Sequence, residues 1–325
     1  MFVQGEHELV WVLAGIRAAR APDRVRLLRR YAAGARSAAR QNSVWQPDCM
    51  IRAVTANLGC AAPSPTSSQR VLAARSWSSK VRSEVDLAFL QEVPETLIEE
   101  WVADGFVSAK PHGRKYRPRS ALLWRGELAA TEEFALPTAG YHGSYVSSAR
   151  LHLPGFADPV VCVSFHASPS PVEQRYQDVR QNCEQDLPPE RHGGGRDSGE
   201  LFDADMVVAT LKLLARTHVV LAAGDLNECE EWDNVHDENW WEPLERTVTS
   251  EPGELEFPVR RLWQGERRSL FKPGARGYQL DHVLASPSVG GRVRDDAHVD
   301  GSWTEEGVVA GDLSGHAPIF FSLDE

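Results

Sequence analysis

The chain has 325 residues, 42% of them hydrophobic, which is ample for a large core in one domain or two modest ones. Its formal net charge of −11 excludes a surface that grips nucleic acid by charge alone. It does not exclude a nuclease, because a bound divalent cation supplies local positive charge.

No apolar run approaches the ~18 residues of a membrane helix, so no stable membrane association is expected. The N-terminus lacks a basic stretch, and its apolar piece Leu9–Ile16 is interrupted by Trp11 and Gly15. No signal peptide is read there, and a cytoplasmic location is the expectation. The cysteines, Cys49, Cys60, Cys162, Cys183 and Cys229, are odd in number and form no CxxC pair. They read as reduced thiols, not as a zinc site.

Residues 1–45 read as a helical N-terminal extension. Leu9, Val10, Val12, Leu13 and Ile16 recur at helical spacing, and Val25, Leu27, Leu28 and Tyr31 open a second amphipathic helix after Pro22-Asp23. Eight arginines lie between Arg17 and Arg40 against one acidic residue, Asp23. They suit either a basic arm on phosphates or a solvated helical hairpin.

The character changes at Cys49, and residues 46–325 read as one catalytic-type domain. Met50–Gly59 is a strand ending at Asn57. Val71–Val81 is helical, and Val85–Val93 is a buried strand ending on Glu92. Pro94–Trp101 starts a helix, with Pro94 in its first turn. Ala121–Trp124, Tyr145–Leu153 and Val160–His166 read as antiparallel strands. Ser168–Gly199 is a long polar loop carrying Arg175, Tyr176, Arg180 and Arg196. Phe202–Ala215 is a helix. Val219–Ala223 is an apolar run broken by Gly224, the mark of a strand buried on both faces, with Asp225 and Asn227 at its end. The acidic, tryptophan-rich stretch Glu228–Trp241 suggests a packed loop cluster, with base stacking on Trp232, Trp240 or Trp241 as the alternative. Arg267–Phe271, Gln279–Ala285 and Pro318–Leu323 supply the last strands. The pattern is α/β or α+β around one core.

Six strand ends then carry a side chain able to bind metal or move protons: Asn57, Glu92, His166, Asp225 with Asn227, Asp281 and His316. Each has an ordinary alternative taken singly. Asn57 or Gly224–Asn227 could close a turn, Glu92 could cap a helix, and His166 could be an interior histidine.

As an ordered set, Thr55-Ala56-Asn57-Leu58, Leu90-Gln91-Glu92-Val93, Ser164-Phe165-His166, Gly224-Asp225-Leu226-Asn227, Leu280-Asp281-His282 and Ser314-Gly315-His316-Ala317-Pro318 resemble the motifs of the endonuclease/exonuclease/phosphatase superfamily. The resemblance covers about residues 50–324. It implies a four-layer α-β-β-α sandwich of two packed mixed sheets, with the site at one end. It also implies divalent-metal-dependent phosphoester hydrolysis with Mg²⁺ or Mn²⁺.

By the same resemblance, Glu92 is the principal metal ligand and Asn57 orients it. Asp225 activates or orients the attacking water. His166 and Asn227 donate to the phosphoryl oxygens, and Asp281 pairs with His316, which serves as acid or electrostatic stabiliser. Nucleic acid is the expected substrate. The alternatives are a small phosphorylated or lipid substrate, or an inactive binding module on the same fold. One position departs from the pattern: Gly315 stands where the family usually has aspartate, which bears on a second metal position, and Asp312 lies close by in sequence.

Overall fold

The computed structural model describes residues 50–60, 65–109, 119–128, 130–133, 136, 145–169, 172, 201–271, 277–300 and 315–325. These all belong to one compact unit, Met50–Glu325. The expected helical extension 1–45, most of the 168–199 loop with its Arg175, Tyr176, Arg180 and Arg196, and Asp312 lie outside the described residues.

Eleven strands are described, in two sheets. The first runs in the order β10 (His298–Val299), β11 (Ile319–Leu323), β1 (Ile51–Asn57), β2 (Leu87–Val93), β4 (Arg119–Arg125) and β3 (Phe106–Ser108). The second runs β5 (Ala130–Glu133), β6 (Val146–Leu151), β7 (Val160–His166), β8 (Val219–Asp225) and β9 (Asp281–Ala285). Both sheets are mixed. In each, one parallel pair, β1–β2 and β7–β8, sits among antiparallel neighbours. Parallel strands need a crossover. Helix α1 (Pro65–Val81) joins β1 to β2, and helix α3 (Asp203–Ala215) lies between β7 and β8. The expectation of antiparallel strands in the middle of the chain therefore holds for β6 against β7, but β7 runs parallel to β8 on its other side.

Strand parity explains the layering. Ile51 and Ala53, Leu87 and Phe89, Leu122 and Trp124 face one way from the first sheet. They meet Ala149 and Leu151, Val160 and Cys162, Leu221 and Ala223, Val283 and Ala285 from the second. The opposite parity faces helices. Val54, Ala56, Ala88, Leu90, Ala121 and Leu123 pack on α1 and on helix α2 (Glu95–Ala103), through Ala74, Trp77, Leu97 and Trp101. Val161, Val163, Val220, Ala222 and Leu284 pack on α3 and helix α5 (Trp241–Thr249), through Val207, Leu211, Leu244 and Val248. The result is the expected four-layer α-β-β-α sandwich. Each buried aliphatic or Phe side chain contributes about 1.5–3 kcal/mol against the entropy of ordering the chain. The remaining described helices, α4 (Glu230–His236), α6 (Pro258–Trp263) and α7 (Pro287–Gly290), are short and flank the second sheet's final strands in sequence.

Two local expectations change, and the packed reading of the tryptophan-rich stretch is kept over its alternative. Pro94 is the N-cap and not the first helical residue: its φ of −73° and ψ of 147° are extended, and its carbonyl accepts from Leu97 and Ile98. Arg267–Phe271 builds no ladder strand, and only Leu270 makes isolated bridges, to Tyr278 and to His316. Trp240 and Trp241 are buried, so they cannot stack on bases; Trp232 is half-buried, against His236 and Tyr278.

The helix layer over β9 also holds a titrating group. His282 lies under Trp241 and Phe257, with ring centroids 4.9 and 5.6 Å away. Burial pushes its pKa down to about 4, against the opposing pull of the Glu228 carbonyl and Asp281. The unfolded chain therefore binds a proton that the folded chain refuses between about pH 6.5 and 4. Stability from this group is complete above pH 6.5 and lost as pH falls through 4, by about 3 kcal/mol at most. Urea denaturation at pH 7 and pH 4.5 is expected to show this loss in the wild type and not in His282→Gln. An equal acid loss in both would refute the assignment.

Candidate active site

Parity also builds the site. Asn57 ends β1, His166 ends β7, Asp225 ends β8, and Asp281 begins the antiparallel β9, so all four fall at one end of the sandwich. Counting in twos along the strand from each, back from the first three and forward from Asp281, reaches inward-facing core residues, Ala53, Cys162, Ala223 and Val283. All four side chains thus emerge into the space between the sheets. His166 and Asp225 are register partners across β7–β8, and Asp225 and Asp281 across β8–β9.

Glu92 reaches the site by a different route. On β2, Leu87 and Phe89 face inward, and parity alone would turn Glu92 to the helix side. Its φ of 48° is left-handed, and the β2–β4 register shifts between Leu90 and Val93. This bulge re-aims the side chain so that Oε1 lies 3.6 Å from His166 Nε2. A non-glycine residue in this conformation costs on the order of 1–3 kcal/mol, which the surrounding structure must offset. Just beneath, the inward Gln91 donates to Ser164 Oγ of the opposite sheet at 3.1 Å.

Three close pairs cross between the sheets. Asn57 Nδ2 donates to Asp225 Oδ2 at 2.9 Å, and Glu92 meets His166 at 3.6 Å. His316, just ahead of β11, places Nδ1 2.9 Å from Asp281 Oδ2. A carboxylate only accepts, so Nδ1 carries the proton and Nε2 faces inward, 3.7 Å from Asp225 Oδ2. His166 Nε2 is also 3.7 Å from that oxygen. Asp225 is thus the hub, fully buried, with its Oδ1 accepting the Asn227 main-chain N–H at 2.9 Å. Asn227, at φ 55°, donates its side-chain amide to the Ala167 carbonyl at 2.6 Å. The glycine before Asp225 is required by crowding: a Cβ on Gly224 would lie 1.9 Å from the Phe165 carbonyl oxygen.

The electrostatics follow from burial and neighbours. Burial raises the Asp225 pKa and Asp281 adds to this, while His316, His166 and the Asn57 amide pull it back without cancelling the rise. Burial also presses on Asp281, but His316 and the Ser269 hydroxyl outweigh it and hold that carboxyl low. Burial opposes charge on His316, yet Asp281, Asp225 and the more distant Glu92 carry its pKa up to about 9. The His316 imidazole is therefore a cation at neutral pH.

All seven expected residues come together except that Asn227 points its amide at a backbone carbonyl. Ligand atoms of Asp225, Asp281 and His316 lie within 4.8 Å of one another. These two carboxylates, with Glu92 beyond His166, supply carboxylate oxygens suited to a hard cation, whereas Asn57 turns its NH2 to Asp225 and its Oδ1 accepts the Gly59 N–H at 3.0 Å. At Gly315 a Cβ would sit 3.2 Å from Leu270 Cδ1 and 3.4 Å from the Phe271 carbonyl, so an aspartate there would press on Leu270. Sequence reasoning missed Ser269, which donates to Asp281 Oδ2 at 2.7 Å. A serine in a short unpatterned stretch carries no signal of that contact.

Residues 54–301 match the model of the Endonuclease/Exonuclease/phosphatase family. Solved structures share the fold, among them the following three. The 3′ phosphatase NExo from Neisseria bound to product DNA hairpin is 16% identical, with a TM-score of 0.54 over 85% of this chain and 100% of its own. An AP endonuclease from Archaeoglobus fulgidus is 16% identical, with a TM-score of 0.53 over 85% and 100%. Truncated Caenorhabditis elegans TDP2 is 12% identical, with a TM-score of 0.54 over 85% and 98%. No curated protein matches the sequence. Among the described residues no helix is long and apolar enough to cross a membrane.

Proposed function

We infer that this chain, which belongs to the Endonuclease/Exonuclease/phosphatase family, is a divalent-metal-dependent phosphodiesterase acting on nucleic acid. The observation that carries the reading is the chain of contacts Asn57–Asp225–His316–Asp281, with His166 3.7 Å from Asp225 and Glu92 3.6 Å from His166.

Glu92, assisted by Asn57, would hold Mg²⁺ or Mn²⁺. The ion supplies charge for the phosphoryl oxygens and lowers the pKa of water. Asp225 accepts the proton of the attacking water or orients it, and its raised pKa brings it closer to the working pH than an exposed aspartate. His316, cationic at Nε2, and His166 face the charge that builds on the phosphoryl oxygens, with Asn227 beside them. Asp281 fixes the His316 tautomer.

Two observations support the substrate class. The neighbours in fold include a phosphatase bound to a DNA hairpin and an AP endonuclease. The arginine-rich stretch Arg17–Arg40 suits phosphate contacts.

The test is turnover on single- and double-stranded DNA, abasic DNA, a 3′-phosphorylated DNA end, RNA, an inositol polyphosphate and sphingomyelin. Each is run with Mg²⁺, with Mn²⁺ and with chelator. Cleavage of a nucleic acid that stops on chelation and in Glu92→Gln is the expected result. Cleavage of only the inositol or lipid substrate would overturn the substrate class. Silence on every substrate with folded protein would overturn the activity.

A further inference from the structure

We propose that Ser269 is the positioning residue that sets the Asp281–His316 pair for the phosphoester chemistry inferred above, and this proposal rests on that reading. A serine hydroxyl has one hydrogen to give and two lone pairs to receive. At Ser269 all three are assigned. The main-chain N–H groups of Leu280 and Asp281 each donate to Oγ at 3.1 Å. The single hydroxyl hydrogen is thereby directed to Asp281 Oδ2, 2.7 Å away.

That same oxygen accepts from His316 Nδ1 at 2.9 Å, whereas Asp281 Oδ1 is buried with no hydrogen-bond partner among the described residues. The carboxylate is therefore held through one oxygen, by one serine and one histidine. Without the hydroxyl, only the imidazole remains to orient it.

The backbone of the same segment fastens the histidine. The Ser269 carbonyl accepts from Ala317 N, and Phe271 N donates to the Gly315 carbonyl at 2.6 Å, on either side of His316. Ser269 N donates to the Tyr278 carbonyl at 2.9 Å, which ties the segment to the approach of β9. Ser269 itself is fully buried, so it does not touch substrate. Its effect must pass through Asp281, and small displacements of a reacting group are costly: about 1 Å can lose 10²-fold in rate.

Ser269→Ala, Ser269→Thr, His316→Gln and the double variant Ser269→Ala/His316→Gln of the full chain test this. Two readouts are used. The first is the proton NMR resonance of the His316 Nδ1–H in metal-free protein, assigned by its absence in His316→Gln. The second is kcat and KM with Mg²⁺ on the nucleic acid that is cleaved. Ser269→Ala is expected to shift or broaden away the Nδ1–H resonance. It is also expected to lower kcat about 10- to 100-fold with KM changed by less than about twofold. Ser269→Thr is expected to restore both. In the His316→Gln background, Ser269→Ala is expected to lower kcat no further.

An unmoved resonance in Ser269→Ala would overturn the proposal. So would a loss of kcat that is equally large with and without His316, which is the signature of a general packing defect. If Ser269→Thr does not fold, the double variant still decides. If the wild type cleaves nothing, the phosphoester reading fails by itself, and the resonance still reports whether Ser269 orders the pair.

Discussion

Replacing Asp225 by asparagine is expected to lower kcat by about 10²- to 10⁴-fold, the range that a positioned acid–base group contributes, while the protein stays as stable or gains stability. The two halves of this expectation come from the same fact. Asp225 is buried to 1% exposure, and burial raises its pKa. A carboxyl whose folded pKa lies above its unfolded value holds its proton more tightly in the folded state. Above the unfolded pKa, that upward shift works against folding. Asparagine keeps the shape and removes the charge, so this cost disappears. Its one oxygen can accept from the Asn57 amide, as Asp225 Oδ2 does at 2.9 Å, while the hydrogen bond from the Asn227 N–H to Oδ1 is lost, which offsets part of the gain. Kinetics and thermal denaturation on one preparation check both halves. A rate within about tenfold of wild type would sink the role given to Asp225.

Asp281→Asn is expected to lower kcat by about 10²-fold and to move the alkaline limit of activity downward. Burial alone would discharge His316. The Asp281 charge and its hydrogen bond, helped by Asp225, hold the imidazole pKa up at about 9. Activity that needs the cation is present below that pH and lost as pH rises through it. Removing the largest of the raising influences lets burial act, so the limb should fall toward the ordinary histidine value of about 6.5. A kcat profile from pH 6 to 10 shows the shift. An unchanged limb in Asp281→Asn would mean that another group sets it.

Much of this was legible because strands obey parity. Val219–Ala223 is apolar on both faces in the sequence and buried from Val220 on in the structure, and its continuation in steps of two fixes Asp225 inward. Asn57, His166 and Asp281 follow the same rule. Glu92 does not, since its side is decided by a left-handed residue in a bulge, which periodicity does not encode. Its motif was readable, but its geometry was not. The stretch 267–271 has strand-like composition, yet its main-chain partners lie at Tyr278, Gly315 and Ala317, so it forms a clip and not a ladder. Trp240 and Trp241 are large enough to suit either an interior or a platform. Only tertiary contacts, with Phe202, Phe257 and His282, decide for the interior.

The three close pairs of the site, Asn57 with Asp225, Glu92 with His166, and His316 with Asp281, each join one sheet to the other. On the proposed function, catalytic competence would therefore gauge how the two sheets are aligned. A slip of one sheet over the other by a single residue repeat, ~3.3 Å, would part all three pairs at once. No ladder hydrogen bond and no helix need break for that to happen. Secondary structure and the alignment of the site are thus separable properties of this molecule. A cation or substrate gripped from both sides would act as a clasp, stabilising the aligned state by mass action. Substitutions deep in the middle layer, at Phe89 or Phe321 for example, would then reach the chemistry by detuning alignment and not by touching any reacting group.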